Sequence, residues 1–596
     1  GVDKKQFNFK IYQPLSNGDF ISLAGHWNRN RNTMAPSIYL WNENYGSRTV
    51  GSASSNRYPT NWSEAFYNLG SCSSSPSLWE CRYNPSNTGN LRINSRFTLT
   101  DKLVLTVDPS IQYTKANGGG TATGTEATCT STSCGTATTG YIGSSYYFGR
   151  DLNGDGDLLD KVTLAAPSET ETYRLGLNMS LRYRLNDSHT LRVNYTYDRG
   201  RHRQTGELAY LNSDGMASQY FPIDNPVTDA SGNVIQKRNR LSYAILHQVS
   251  GEYNGRFFGD RLEVTAGLRV PFLKRNLNNY CFTTSNQGYV DCLGNSSMNA
   301  AYAALHSNYA APQQRIFNYS KVLPSAGFTV KVTKQASMFF NYSKGMQVPG
   351  TDNLYQSFYY AQGTAQANPT PESTDNFDLG MRFRSRKVMG QLGGWYTLFH
   401  NRLASSYDQD LQATIYRNLG TVEKYGLDAS VTVNANKYLS AYGFVSLMRS
   451  RIVSNVASGN GTYFATAGKR ESGAPVSTMG ARIDGHFDPL DIGVQVKRTG
   501  GRFINDQNLP VYVNGVQVSE AKAPAYTTVD LSARLNLDKL GARPNTYLQL
   551  NVTNLFNKFY IGGFDGTTAN TFASYPSTTA YLPTPRTITG SISVAF

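Results

Sequence analysis

The most constraining feature of the sequence is an alternation of apolar and polar side chains that runs further than an ordinary strand. Between residues 173 and 185 the apolar positions are Tyr173, Leu175, Leu177, Met179, Leu181, Tyr183 and Leu185. Arginine, glycine, asparagine and serine fill the positions between them. Because successive side chains of a strand point to opposite faces, this pattern predicts a long strand with one apolar and one polar face.

The same unit recurs as pairs of alternating segments that are joined by short turns. One turn covers residues 186–189, and further turns cover residues 100–102, 257–260, 385–387 and 434–437. Short turns between such segments predict antiparallel hairpins. Long connections rich in Gly, Ser, Thr and Asn separate the hairpins, at residues 29–88, 116–170, 201–240, 277–315, 347–373, 454–473, 500–523 and 557–582.

Strand length and loop asymmetry together predict the fold class. A tilted strand of about ten residues crosses a bilayer, and short turns on one side with long loops on the other are typical of bacterial outer-membrane barrels. We therefore expect an all-β transmembrane antiparallel barrel with periplasmic turns and extracellular loops. About 19 strands are visible by pattern, and we expect about 22 because single-chain bacterial barrels have an even number.

Composition agrees with a barrel and disfavours the other architectures. Charged residues make up 16% and aromatic residues 12% of the 596 residues, and the mean hydropathy is -0.43. The chain has no run of about 18 apolar residues, as a membrane-spanning helix requires. A secreted β-solenoid is the alternative, but no fixed repeat of about 20–50 residues supports it.

The two ends of the chain lead to an expectation about its beginning. Ile588, Gly590, Ile592, Val594 and Phe596 form the apolar register of the last strand. The first visible strand, near residues 6–13, runs in the same direction as the last if turns and loops alternate. We therefore expect at least one strand before Gly1, and we interpret the start without Met or signal peptide as a processed or truncated terminus.

Six cysteines fall into three close pairs: Cys72 with Cys81, Cys129 with Cys134, and Cys281 with Cys292. Six cysteines allow fifteen pairings, and the local spacing favours these three. Neither histidine nor a Cys-x-x-Cys motif accompanies them, so zinc is disfavoured. Disulfides at these positions predict an oxidising compartment; six free thiols are the alternative.

The formal net charge of +15 does not indicate a nucleic-acid partner. Basic residues such as Arg174, Arg182 and Arg184 are scattered singly along predicted strands, and the chain contains no basic run or nucleic-acid motif. Scattered arginines suit a lumen wall and contacts with the phosphates of outer-membrane lipid and lipopolysaccharide. A positive wall also favours an anionic solute.

Several segments resemble the motifs of one family. Residues 550–560 read LNVTNLFNKFY, and residues 585–596 read PRTITGSISVAF. They are similar, in order and in distance from the terminus, to the penultimate- and final-strand motifs of the TonB-dependent receptors. Tyr342–Pro349, Pro371–Gly380 and Asn418–Asp428 resemble upstream motifs of that family. The resemblance is close over residues 342–596 and limited to pattern elsewhere.

The resemblance implies an outer-membrane active transporter that is energised through the TonB complex. Residues 1–596 then form the barrel domain, and the family's plug domain and first strand are missing from this sequence. A ferric siderophore is the favoured solute, with an oligosaccharide or another scarce nutrient as alternatives. A passive porin or structural surface barrel is the competing function. The chain shows no catalytic arrangement, so we do not expect an enzyme.

One acidic motif predicts a metal site in a long loop. Residues 150–160 read RDLNGDGDLLD, which places oxygen-bearing side chains at alternate positions, as in calcium-binding loops. The predicted ligands are Asp151, Asn153, Asp155, Asp157 and Asp160. Val162 stands where an EF-hand has its bidentate glutamate, so this is not an EF-hand. A structural Ca²⁺ that orders the loop is the favoured interpretation, and a solvated acidic turn is the alternative.

Other candidate residues give weaker signals. Two aromatic clusters, Tyr146–Phe148 and Tyr355–Tyr360, either stack on a solute or pack within their loops, and we favour packing. The seven histidines are scattered, and Met346–Pro349 lacks the histidine context that haem receptors of the family show, so haem uptake is disfavoured. The substrate-binding residues are not predicted.

Overall fold

The computed structural model describes residues 2–33, 38–39, 58, 61–63, 83–408, 413–459, 462–513, 515–564, 566–572 and 579–594. Twenty strand segments form one large sheet in this part of the chain. The segments are β1 (Val2–Pro14), β2 (Phe20–Asn32), β3 (Ser86–Thr100), β4 (Leu103–Gly118), β5 (Ser168–Arg184), β6 (His189–Glu207), β7 (Gln236–Phe257), β8 (Leu262–Asn279), β9 (Gln313–Ser320), β10 (Leu323–Lys331), β11 (Ala336–Gln347), β12 (Glu372–Arg384), β13 (Val388–His400), β14 (Val422–Asn434), β15 (Leu439–Ile452), β16 (Ser477–Phe487), β17 (Leu490–Thr499), β18 (Tyr526–Asn536), β19 (Tyr547–Thr553) and β20 (Thr587–Ser593).

The segments form an antiparallel meander in which neighbours in sequence are neighbours in the sheet. Two segments, β9 and β10, share one strand position beside β8. β9 pairs with the second half of β8, and β10 pairs with the first half of β8. Counting β9 and β10 as one broken strand, the described residues supply nineteen strand positions, as the pattern predicted. Within the described residues no pairing joins β1 to β20, so a total of 22 stays a prediction.

Short and long connections alternate along the whole meander. The short ones have two to ten residues, and each long one has at least 21. One long connection was not predicted: residues 401–421 contain their own hairpin, Leu403–Asp408 with Ala413–Asn418, whose alternation imitates sheet strands. The first five predicted loops are shorter than predicted because the strands extend further, as in β7, which spans 22 residues. The last three, at 453–476, 500–525 and 554–586, are longer than predicted.

The helices that lie wholly within the described part of the chain are few and short. The α-helices are α1 (Asn299–Leu305) and α2 (Thr351–Gln356). The 3₁₀ helices are Ser16–Gly18, Pro222–Asp224, Ser296–Met298, Ser357–Tyr359 and Leu537–Leu540. Among the described residues, no helix has the length and apolar character needed to cross a bilayer.

The long connections form small sheets of their own. Their strands are Ile38–Tyr39, Thr121–Thr125, Gly140–Ile142, Ser145–Tyr147, Lys161–Ala165, Phe282–Thr283, Val290–Leu293, Leu403–Asp408, Ala413–Asn418, Val456–Gly459, Thr462–Phe464, Arg502–Phe503, Val511–Val513, Val516–Ser519, Lys522–Ala523, Gly563–Phe564, Thr571–Phe572 and Thr579–Tyr581. Hydrophobic clusters in these connections, rather than in the large sheet, hold most of the buried apolar side chains. Most loops therefore have hydrophobic cores of their own, and the connection at residues 348–371 shares its core with the large sheet.

The large sheet has an apolar face and a polar face. Tyr173, Leu175 and Leu181 of β5 are 45%, 46% and 40% exposed, and the register places Leu181 beside Leu105 of β4 and Val193 of β6. Along this stretch of the strands the described residues leave the apolar side chains exposed, which suits contact with lipid. We call this side the apolar face, and the side that carries Arg174, Asn178 and Arg182 the polar face.

The last strand keeps the predicted register. β20 pairs with β19 along its whole length, and the side chains of Ile588, Ile592 and Val594 are exposed on the apolar face. Phe596 lies outside the described residues.

The face assignment predicts opposite effects for two neighbouring residues near the middle of β5. Leu177→Arg places a charge on the apolar face, and we expect it to lower the free energy of unfolding by about 2–4 kcal/mol in lipid. Asn178→Arg is the matched control, because it places the same charge on the polar face, and we expect less than about 1 kcal/mol. Urea unfolding in lipid vesicles measures both. Equal losses would contradict the assignment.

Candidate functional site

The long connection 348–371, here called the inner loop, folds back over the polar face of the large sheet. Arg315 of β9 fixes it: its guanidinium donates from Nη1 to the carbonyl of Ser357 at 2.9 Å and from Nη2 to that of Tyr360 at 2.7 Å. Arg315 is buried. A buried guanidinium satisfied by main-chain carbonyls ties the loop to the sheet in one geometry.

Two further cations of the polar face hold the beginning of the inner loop. Arg240 of β7 lies 3.2 Å from the carboxylate of Asp352, and Arg275 of β8 donates to the hydroxyl of Thr351 at 2.6 Å. The contacts span strands β7 to β9, so the inner loop covers one sector of the polar face.

Aromatic side chains of the inner loop form its core with the sheet. Tyr355 and Phe358 are buried and pack with Leu277 and Phe317, and the hydroxyl of Tyr355 lies 2.8 Å from that of Ser242. Packing is therefore the role of these two residues. The remaining aromatic side chains of the loop, Tyr359 and Tyr360, are half-exposed.

The other predicted aromatic cluster also packs within its own loops. Tyr146 and Phe148 are buried in a cluster with Leu164 and Leu208, and Tyr147 is half-exposed. Neither cluster has a row of exposed rings. Within these two clusters, only the half-exposed tyrosines are accessible for stacking on a solute.

The polar face is rich in basic side chains. Some are paired: Arg174 lies 2.6 Å from Asp198, and Arg192 lies 3.8 Å from Glu252. Others on this face have no carboxylate partner among the described residues; they include Arg92, Arg182 and Arg269. The face therefore presents an excess of positive charge to whatever it encloses.

Residues 119–167 and 280–312 build a lobe around one six-stranded sheet. The disulfides Cys129–Cys134 and Cys281–Cys292 lie in it, as predicted. Cys72 and Cys81 lie outside the described residues.

A buried carboxylate joins the two connections of this lobe. Asp291 accepts hydrogen bonds from the backbone N–H of Gly143 at 2.9 Å and the hydroxyl of Tyr302 at 2.8 Å. Burial raises the pKa of Asp291. Two donors and a raised pKa identify an internal structural acid rather than an exposed ligand.

The predicted acidic motif lies at the edge of the lobe as an exposed turn. Its side chains bind its own backbone: Asp151 accepts from the N–H groups of Gly154 at 2.6 Å and Gly156 at 2.9 Å. Gly154 and Gly156 both have positive φ, which a residue with a side chain rarely adopts. The glycines therefore allow the tight winding that brings the oxygen atoms together.

The structure adds one residue that the motif does not contain. Glu126 is fully buried and accepts from the N–H groups of Leu152 at 2.7 Å and Asp160 at 3.1 Å. One carboxylate oxygen each from Glu126, Asp157 and Asp160 lie within 4.8 Å of one another. Glu126 precedes the first predicted ligand, Asp151, by 25 residues, so spacing within the motif gave no sign of it.

Two carboxylates of the acidic turn, those of Asp155 and Asp160, lie close enough to affect each other's pKa. A hydrogen bond from the N–H of Asp157 lowers the pKa of Asp155, whereas a hydrogen bond shared with Asp155 raises the pKa of Asp160. Asn153 bridges the two carboxylates from its Nδ2 atom, at 3.1 Å and 2.7 Å. A proton on Asp160 relieves repulsion that a bound cation would relieve in the same way.

Comparison with known proteins decides what this architecture is. Residues 26–555 match the family described as TonB dependent receptor-like, beta-barrel. The chain belongs to this family. Its large sheet is accordingly a receptor barrel with the apolar face outside and the polar face lining the lumen. The family comprises outer-membrane receptors and transporters rather than enzymes, and they have no catalytic cofactor.

Solved structures of similar fold include receptors and transporters that are named for metals or siderophores. The ferric-catecholate import receptor Fiu of E. coli aligns with 99% of this chain and 74% of its own, at a TM-score of 0.62 and 15% identity. The siderophore receptor PiuA of Acinetobacter baumannii aligns over 99% and 74%, at 0.61 and 14%. The copper transporter OprC aligns over 99% and 71%, at 0.60 and 12%. Identities this low show the fold alone.

Proposed function

We propose that the chain is the barrel of an outer-membrane import receptor that takes up a ferric siderophore with energy supplied through the TonB complex. The carrying observation is the family match over residues 26–555. Short turns then face the periplasm, and long loops face outside. We expect the receptor to include a plug domain as well, because the resemblance to the family implies one.

Two features of the lumen support an anionic metal chelate as the solute. Arginines without a carboxylate partner among the described residues line the polar face, and the inner loop covers one sector of it. PiuA is titled a siderophore receptor and Fiu a ferric-catecholate import receptor. OprC is titled a copper transporter. The fold therefore does not select for iron, and another metal complex or an oligosaccharide is the alternative solute.

Uptake in cells tests the proposal. We expect a deletion strain that expresses the full-length receptor to import radiolabelled ferric siderophore under iron limitation, and to lose uptake when the proton-motive force is collapsed. Uptake that persists without the proton-motive force would favour a passive porin. If the deletion strain grows normally under iron limitation but poorly on an oligosaccharide as carbon source, the solute is the oligosaccharide rather than a ferric siderophore.

The lumen charge gives a residue-level test of solute type. Replacing Arg92, Arg182 and Arg269 together with glutamine removes three unpaired cations from the lumen. We expect uptake of an anionic chelate to fall several-fold because electrostatic steering weakens. Arg386→Gln, in a short turn, is the control. Equal uptake by all variants would contradict a role of lumen charge.

We propose that the acidic turn binds a structural Ca²⁺ through Asp151, Asn153, Asp155, Asp157 and Asp160. All donors are oxygen atoms, as calcium prefers, and Glu126 adds a carboxylate at the base of the turn. The ion would take over the neutralising role of the proton on Asp160, so calcium binding should weaken as pH falls through the raised pKa of that group.

Calorimetry on the purified receptor tests the calcium proposal. We expect affinity in the range of extracellular calcium modules, about 0.1–1 mM, and a loss of at least tenfold in a variant that combines Asp151→Asn with Asp157→Asn. Asp187→Asn, in an exposed short turn, should bind as the parent does. Unchanged affinity in the combined variant would leave the solvated acidic turn as the explanation.

We also propose that the outer surface holds lipopolysaccharide phosphates through Arg199 and Lys274. Both lie on the apolar face near its long-loop end, and the register places Ile245 between them. Both are exposed, and neither has a carboxylate partner among the described residues. Cations at an apolar boundary suit the phosphates of an anionic lipid.

Lipid retention tests this surface. We expect the combined variant Arg199→Gln and Lys274→Gln to retain several-fold less lipopolysaccharide through purification, as measured by native mass spectrometry. Lys387→Gln, in a short turn on the opposite side of the membrane, should retain the parental amount. Equal retention by both variants would refute the assignment.

A further inference from the structure

A group of buried oxygen atoms lies at the long-loop end of β4, β5 and β6, beneath the segment Tyr220–Asp224. We call this segment the strap. Its attachment is polar: the N–H of Ile223 donates to Oε2 of Glu169 at 2.8 Å, Asn117 donates to the carbonyl of Tyr220, and Lys115 pairs with Asp224. The strap covers the end of the same face that meets lipid further along the strands.

Beneath the strap, several side-chain oxygens have no hydrogen-bond partner in the described part of the chain. They are Oδ1 of Asn117, Oε1 of Glu169, Oε2 of Glu207 and the hydroxyl of Tyr83. Each of these residues is at most 5% exposed. Buried acceptors without donors are rare in native proteins, and a buried carboxylate without a counter-charge is costly.

The register brings these groups together. Glu169 pairs with Asn117 of β4 on one side and with Thr205 of β6 on the other, so their side chains share one face. Side chains at paired positions have Cβ atoms about 4.5–5.5 Å apart. Glu207 lies two residues beyond Thr205 and is close enough to interact electrostatically with Glu169. The charge of Glu169 also acts on the hydroxyl of Tyr83.

The neighbouring cations make hydrogen bonds and ion pairs elsewhere, although Arg203 and Arg238 attract the charge of Glu207, and Lys115 attracts that of Glu169, at longer range. Lys115 pairs with Asp224, and the Arg203 guanidinium donates to the Asn239 side chain and the Arg240 carbonyl. The guanidinium of Arg238 donates to the main-chain carbonyls of Glu169 and Thr205. No salt bridge of 4.0 Å or less reaches the carboxylate of Glu169 or Glu207 from any described residue.

We propose that Glu169, Glu207 and Asn117 bind a divalent cation, Ca²⁺, beneath the strap. The donors are two carboxylates and an amide oxygen, which are hard ligands, and calcium accepts the irregular geometry that neighbouring strands and a strap provide. The ion neutralises two carboxylates that otherwise repel each other. Because Glu169 also holds Ile223, the ion fixes the strap against the outside of the barrel. This site is separate from the acidic turn and independent of solute uptake.

Terbium luminescence on the purified full-length receptor tests the strap site. Tb³⁺ replaces Ca²⁺ and emits when a nearby tyrosine is excited. Tyr83 lies beside the proposed ligands and can act as this tyrosine. The background carries Asp151→Asn and Asp157→Asn, so the acidic turn does not contribute. We expect one Tb³⁺ per receptor, displaced by Ca²⁺, and at least tenfold weaker binding after Glu169→Gln or Glu207→Gln.

A carboxylate on the same strand and face supplies the control. Glu171 lies two residues from Glu169 and contacts Arg201 at 4.0 Å instead, so Glu171→Gln should bind Tb³⁺ as the background does. Equal affinity in Glu169→Gln would overturn the proposal and identify a shared proton as the neutralising species. If Glu169→Gln does not fold, the combined variant Tyr83→Phe and Tyr220→Phe decides, because the centroids of these two rings lie 6.2 Å apart at the site. Sensitised emission should fall while calorimetric Ca²⁺ affinity stays, and unchanged emission would overturn the site.

Discussion

Backbone hydrogen bonding is the constraint on which the rest of this structure depends. Within lipid no water satisfies an N–H or carbonyl group, so each strand that crosses the membrane has to pair along its length with neighbours. Antiparallel pairing meets this condition inside the meander, and within the described residues the end strands β1 and β20 have one partner each. Since the backbone is satisfied by the sheet, alternate side chains are free to be apolar towards lipid and polar towards the lumen.

The loops face a different problem, because they lie outside the sheet and contain much main chain without strand partners. Arginines solve it in several places. Arg315 donates to carbonyls of the inner loop, and Arg502 donates to those of Gly562 and Ile561. A guanidinium carries five donors in a fixed plane, so one side chain can fix two or three carbonyls at once. Part of the excess of basic residues is therefore structural rather than a sign of the solute.

The carboxylates of the long-loop side form the complementary pattern. Asp291 is internal and accepts from two donors. The carboxylates of the acidic turn accept from its own backbone N–H groups. Glu169 and Glu207 each keep one oxygen without a donor among the described residues. Three environments for one functional group give three expectations: a neutral or internally bonded acid, an exposed cation loop and a buried cation site. Calcium would order outer loops in the last two cases, while the family membership assigns transport to the barrel as a whole.

The sequence by itself determined the repeating element: the two-residue period fixed the strands, their faces and the hairpin turns, and the closing motifs indicated the family. It could not separate residues 403–418 from sheet strands, because the local period of a loop hairpin is the same. It found the acidic turn but not Glu126, and it gave no sign of the group around Glu169, since Asn117, Glu169 and Glu207 come from three different strands. Only the tertiary structure decided these, because register between strands, and loops folding back on them, bring distant residues together.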